Sequence, residues 1–161
     1  MIPFRVGIGY DSHRLIEGRP LILAGVRVPF ELGLAGHSDA DVLLHAITDA
    51  LCGAAGLPDI GRLFPDTDAQ YKDADSGVLL RGAMEKVRQS GWEIVNVDAI
   101  LIAQRPKIAP FVPAMKSNVA RILGVDEAQI NLRGKTAEGL DDVGAGRGMQ
   151  AHAVALLSRL D

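Results

Sequence analysis

The sequence predicts a single α/β domain (in the broad sense, α+β or α/β) built on a mixed sheet, and three observations lead there. Strand-like and helix-like segments alternate along the chain. An early hairpin signal coexists with later helical crossovers, so antiparallel and parallel pairing must share the sheet. The 161 residues suit one core that folds without staples, and no repeat, low-complexity run or linker divides 1–161.

The elements follow in order. Phe4, Val6, Ile8 and Tyr10 alternate through residues 4–10 with the period of two of a strand. Segments 20–24 and 26–30 flank Gly25 and predict a hairpin. Ser38-x-x-Asp41 resembles a capping box and opens a helix that runs to about Gly56, with Leu43, Ile47, Ala50, Leu51 and Ala54 on one side. A second helix is predicted over 75–90, closed by Ser90 and Gly91. An Ile- and Val-rich strand covers 92–104 and stops at Pro106. The third helix spans 111–123 before Gly124, and a strand over 129–135 leads into a Gly-rich loop. For 148–159 the Ala and Leu content favours a helix, although no N-cap opens it.

Composition narrows the function. Hydrophobic residues make up 48% of the chain and aromatics only 4%, so the core must be built from Ala, Val, Ile and Leu. A net charge of −3 gives no basic surplus for a general nucleic-acid binder, yet leaves room for a compact phosphate pocket. Cys52 is the only cysteine, which excludes an intrachain disulfide, and its Ala/Leu-rich surroundings predict a buried, inert thiol. No apolar run approaches the roughly 20 residues that span a bilayer. The N-terminal segment has neither a signal-peptide core nor an Arg/Ser-rich transit pattern, so a cytoplasmic protein without a membrane partner is expected.

Asp11 and His13 stand two apart at the end of the first strand, which sends both to one face. His45 lies on the first helix, which must pack back on that sheet. Two imidazoles and a carboxylate are zinc-type ligands, and three protein ligands leave one position open. Asp41, His45 and Asp49 form an i, i+4, i+8 stripe, from which Asp49 is the expected partner that orients the His45 ring.

Weaker signals surround this group. Gly7-x-Gly9 lacks the third glycine and the helix start of a dinucleotide site. The Gly-rich loop 144–148 lacks the Lys-Ser/Thr of a P-loop, and reads as a flexible turn ahead of a phosphate cradle. Asp59, Gly61 and the acidic turn from Phe64 to Asp68 carry carboxylates able to accept sugar hydroxyls. Lys107 follows one strand, and Lys135-Thr136-x-Glu138 ends another with groups that suit phosphate and Mg²⁺.

Taken together, GIGYDSHRL at 7–15, LAGHSDADVLLHAITDAL at 34–51, LPDIGRLFPDTD at 57–68, ADSGVLL at 74–80, NVDAILIAQRPKIAP at 96–110 and KTAEGL at 135–140 resemble the 2-C-methyl-D-erythritol 2,4-cyclodiphosphate synthase family. The resemblance covers essentially the whole chain. It implies a four- to five-stranded mixed sheet with helices on one face, the sheets facing the axis of a homotrimer with active sites between subunits. It makes 148–159 a strand.

By the same resemblance, zinc is held by Asp11, His13 and His45, and Mg²⁺ or Mn²⁺ by Glu138. His37 and Thr136 take the catalytic positions, with Ser38 beside the reacting phosphate. Ala103, Lys107, Ile108 and Ala109 form the cytidine pocket, and Lys135 adjoins the diphosphate site. Asp59 and Gly61 bind substrate hydroxyls, while Phe64, Asp66 and Asp68 lie over the substrate. The implied reaction cyclises 4-diphosphocytidyl-2-C-methyl-D-erythritol 2-phosphate with release of CMP.

The chain departs from the family pattern at Asp142, where an aromatic is usual, and at Ala145, where arginine is usual. That puts an isoprenoid diphosphate in the trimer's central cavity in doubt, with Arg147 as the cation left nearby. The alternatives are a zinc-dependent nucleotide phosphohydrolase and a non-catalytic trimeric metal- or nucleotide-binding protein.

Overall fold

A computed structural model of the chain describes residues 2–65, 67–71 and 75–161. The described residues form β1 (Phe4–Ile16), β2 (Leu21–Leu23), β3 (Val26–Val28), β4 (Gly33–Leu34), α1 (Val42–Ala55), α2 (Ile60–Leu63), α3 (Ser76–Gln89), β5 (Trp92–Ile102), α4 (Val112–Leu123), β6 (Ile130–Lys135), α5 (Asp141–Gly144) and β7 (Gly148–Arg159). Among them the main sheet has the order β4-β1-β7-β5-β6, and β2 and β3 pair separately. β5 and β6 run parallel, joined by the α4 crossover, while β1–β4, β1–β7 and β5–β7 are antiparallel. The mixed sheet is as expected. No helix among the described residues is long and apolar enough to cross a membrane.

The last element corrects the compositional reading. Residues 148–159 are the central strand β7, hydrogen-bonded to β1 on one side and β5 on the other. Met149, Ala151, Ala153, Ala155 and Leu157 are buried at every second position. The alanines serve close packing under α1, and their spacing is that of a strand. Trp92 is the one aromatic among the buried hydrophobic residues described, so the core is aliphatic as the composition requires.

β1 alternates as expected, but its faces are reversed from the simple reading. Phe4, Val6, Ile8 and Tyr10 stand on the open face of the sheet and are exposed, whereas Gly7 and Gly9 face α1. The cause is a very close approach of helix to strand. A Cβ on Gly7 would lie 2.1 Å from the Ala50 carbonyl oxygen, and one on Gly9 1.8 Å from that of Ala46. The two glycines therefore do the work of helix-on-strand packing and no nucleotide chemistry.

α1 is buried around most of its circumference, and its accessible stripe runs through His45, Asp49 and Gly53. Gly56 closes it with φ of 74°. Its N-cap is Asp41 rather than Ser38. The fully buried Asp41 carboxylate accepts from Leu44 N at 3.1 Å, and from Ala24 N and Gly25 N in the β2–β3 turn at 2.9 and 2.7 Å. One side chain thus caps α1 and ties the hairpin to it. Asp41→Ala is expected to cost about 3 kcal/mol, the sum of a lost cap and two turn N–H groups, one buried and one half-buried, without acceptors. Urea unfolding checks this; a loss below about 1 kcal/mol would leave the cap without that double role.

Candidate metal centre and nucleotide pocket

The residue that follows Gly9 on the helix-facing side of β1 is Asp11, and the next is His13. Because the glycines let α1 close on the strand, His45 on the accessible stripe of α1 meets both. The Asp11 Oδ2 atom lies 2.9 Å from His13 Nε2 and 3.0 Å from His45 Nδ1. The two imidazole rings are 5.6 Å apart and tilted.

Each ring is turned by a second contact. His13 Nδ1 is 2.8 Å from the Ala35 carbonyl, which can only accept, so that nitrogen carries the proton. His13 Nε2 is then a buried lone pair with no hydrogen-bond partner: the Asp11 oxygen is close but out of line. One potential ligand atom from each of Asp11, His13 and His45 falls within 4.8 Å of the others. His45 Nδ1 and Asp11 Oδ2 are 3.0 Å apart and can share a proton or a cation, whereas His13 Nε2 has no partner without a cation. Donor type, spacing and the orphaned nitrogen all fit a zinc-type ion.

The electrostatics agree. Burial pushes the Asp11 carboxyl up, yet the close contacts and charge of His13 and His45 outweigh it and hold the group down at about 2. Burial pushes His13 down, and the close contact and charge of Asp11 reverse that and raise it above its ordinary value. The pocket is thus one where a carboxylate and a positive charge stabilise each other.

Asp49 does not orient His45. It lies one turn further along α1 and accepts a 3.4 Å hydrogen bond from Tyr10 N. Side chains on a helix lean toward its N-terminus, so the His45 ring moves away from Asp49 and toward the start of α1. There, His45 Nε2 is 2.8 Å from the Ser76 hydroxyl and 3.4 Å from that of Ser38. Ser38 belongs to the loop before α1, which also carries the exposed His37. Arg19 clamps that loop by donating to the Gly36 and Ser38 carbonyls at 2.7 and 2.6 Å.

A second cavity of about 290 Å³ opens at the ends of β5 and β6. It gathers Ala103, Lys107, Ile108, Ala109, Lys135 and Thr136, all anticipated, with Gln104 and Pro106 from the same backbone segment 103–109, and Gly134, which sequence reasoning missed. Ala103 N donates to the Lys135 carbonyl at 3.0 Å and continues the parallel pairing past the strand end. A Cβ on Gly134 would lie 2.9 Å from Ile108 Cγ1, so that glycine leaves room for the pocket wall. Glu138 stands in the left-handed region with φ of 54°, its N–H 3.3 Å from Thr136 Oγ1. Asp11 and Leu101 both pair with Ala151, so the metal group and the pocket sit at the same end of the sheet, two strands apart.

The remaining candidates are more dispersed. Asp59 caps the short helix α2 by accepting from Arg62 N at 2.9 Å, and Gly61 is exposed within it. The Phe64 ring lies against α3 at Gly82. Asp68 holds Gln70 through two hydrogen bonds. Asp66 lies outside the described residues. The Gly-rich loop is a turn after the four-residue α5, and Arg147 pairs with Asp142 at 2.8 Å. Its charge is therefore matched within its own chain and does not replace that of a lone arginine.

The family model described as YgbB family matches residues 4–158. The 2-C-methyl-D-erythritol 2,4-cyclodiphosphate synthase of Azoarcus sp. (strain BH72) is 61% identical, over 99% of this chain and 98% of that protein. A solved structure of 2C-methyl-D-erythritol-2,4-cyclodiphosphate synthase in a CDP-bound form is 44% identical with a TM-score of 0.89, covering 96% of this chain and 100% of that one. The bifunctional IspDF from Campylobacter jejuni is 46% identical with a TM-score of 0.94 over 98% of this chain, which spans 43% of that longer protein.

Proposed function

This chain belongs to the YgbB family, and we propose that it catalyses the reaction its relatives are named for: cyclisation of 4-diphosphocytidyl-2-C-methyl-D-erythritol 2-phosphate to 2-C-methyl-D-erythritol 2,4-cyclodiphosphate, with release of CMP. The observation that carries the reading is the convergence of Asp11, His13 and His45 at the same end of the sheet as the Lys107–Thr136 pocket. The direct test is incubation with the diphosphocytidyl substrate and detection of CMP, with and without chelator.

The reaction is intramolecular. An oxygen of the 2-phosphate forms a bond to the β-phosphorus, the bond from that phosphorus to the bridging oxygen breaks, and the bridging oxygen leaves with CMP. The nucleophile is already anionic, so no strong protein base is required. The protein's task is to fold a flexible, highly charged substrate back on itself. Asp11, His13 and His45 hold zinc, which when bound supplies positive charge beside the reacting phosphates. Glu138 would hold Mg²⁺ or Mn²⁺, which would supply positive charge to the diphosphate.

His37 and Ser38 face the reacting phosphate, and Thr136 and Lys135 contact the diphosphate. Lys107 pairs with the nucleotide phosphate while Ala103, Ile108 and Ala109 enclose the cytidine. Asp59 and Gly61 take the substrate hydroxyls, and Phe64 and Asp68 lie over them. Active sites are completed between the subunits of a homotrimer in the cytoplasm. The exposed Phe4, Val6, Ile8, Tyr10 and Val154 on the open sheet face support that assembly, because a contiguous apolar face of this kind marks an interface.

Lys107→Ala is expected to raise KM about tenfold and to change kcat much less, since a lysine on the nucleotide binds ground and transition states alike. Steady-state kinetics of CMP release reads this, and an unchanged KM removes Lys107 from the pocket.

A further inference from the structure

Ser76 is the first residue of α3, yet it is almost wholly buried, at 1% exposure. Its hydroxyl donates to Asp39 Oδ1, and its backbone N–H donates to Asp39 Oδ2 at 3.1 Å. Asp39 also accepts from Asp41 N at 3.1 Å, which anchors the carboxylate to the start of α1. With its one proton given to Asp39, the Ser76 oxygen can only accept from His45 Nε2, 2.8 Å away.

A neutral imidazole carries one N–H. His45 Nδ1 lies 3.0 Å from Asp11 Oδ2, and with the proton held on Nε2 it offers its lone pair to an ion seated between them. We propose that Asp39 and Ser76 are the positioning pair of the metal centre, a carboxylate–hydroxyl relay that fixes the ring and tautomer in which His45 presents Nδ1 as a ligand. The proposal rests on the metal centre being occupied as described under Proposed function. It assigns work to two residues that neither bind the ion nor touch substrate. Ser38, whose hydroxyl is 3.4 Å from the same nitrogen and accepts from Ala40 N at 3.2 Å, is not needed to hold the ring.

The pair also joins three segments that the reaction needs held together. Asp39 lies two residues after His37, Ser76 begins α3, and His45 is on α1. Ser76→Ala would leave a buried imidazole N–H without a proper acceptor and would free the ring to turn.

The test is zinc affinity by chelator competition, well below the melting temperature, for the wild type, Ser76→Ala, Ser76→Thr and Asp39→Asn. Ser76→Ala is expected to bind zinc about 10- to 100-fold more weakly, the range for lost outer hydrogen bonds at metal sites. Ser76→Thr keeps the hydroxyl and should retain most of the affinity. A cobalt-loaded Ser76→Ala protein should show a shifted visible absorption band. If Ser76→Ala does not fold, Asp39→Asn, which keeps size and loses one acceptor oxygen, should weaken zinc binding in the same direction. Zinc affinity unchanged in a folded Ser76→Ala or Asp39→Asn protein, with only the melting temperature lowered, overturns the pair while leaving the wild-type activity as proposed. A wild type that binds no zinc overturns both.

Discussion

His45→Ala is expected to lose bound zinc and CMP release together, with turnover falling on the order of 10³-fold. His45 is the ligand that α1 contributes to a group otherwise built on β1. Without it, Asp11 and His13 remain as neighbours on a single strand, a bidentate fragment too few in donors for a structural or catalytic zinc site. The lost imidazole also removes one of the two groups that hold the Asp11 carboxyl down at about 2. The reacting phosphates then face a carboxylate whose charge only His13 offsets, which repels them. Zinc content after gel filtration, read beside CMP release, checks the coupling. Turnover that survives in metal-free His45→Ala protein would separate the chemistry from the metal.

Gly9→Ala is expected to destabilise the fold by about 3 kcal/mol or more and to weaken zinc binding in whatever protein remains folded. The added methyl would meet the Ala46 carbonyl oxygen at 1.8 Å and the Ala50 nitrogen at 2.6 Å, both backbone atoms of a buried helix. Neither can rotate aside, so α1 must move off β1. Since Ala46 is adjacent to His45, and Gly9 lies two residues before Asp11, that movement opens the gap between ligands from the two elements. Thermal or urea unfolding gives the first effect and chelator competition the second. A Gly9→Ala protein of ordinary stability and zinc affinity would mean that the closeness of helix and strand does not set the site.

The candidate metal group was legible because two simple periodicities point at it. Asp11 and His13 share a face by the strand period, and His45 falls on the accessible stripe of a helix. The pocket was legible through Lys107 and Thr136 at strand ends, where parallel sheets place ligands. What the same periodicities hid is also physical. The apolar residues of β1 mark a strand face, but which face meets the helix depends on Gly7 and Gly9, whose role appears only once α1 is in place.

The alternation of alanines in β7 carried a strand signal that Ala and Leu composition obscured. Ser76 and Asp39 carried no signal of their own. Helix starts usually show Ser and Asp to solvent, and only the packing of α3 against the loop before α1 buries Ser76 and brings the pair beside His45. Asp49 was misjudged because spacing along a helix fixes neighbours and leaves open which way a ring leans.

The most direct test of the whole account is ³¹P NMR of the protein, loaded with zinc and magnesium, acting on 4-diphosphocytidyl-2-C-methyl-D-erythritol 2-phosphate. The account predicts the paired resonances of a cyclic diphosphate appearing in step with CMP, and their absence after chelation. Inorganic phosphate or a linear product in place of the cyclic diphosphate would show water attacking instead of the 2-phosphate, and would contradict it.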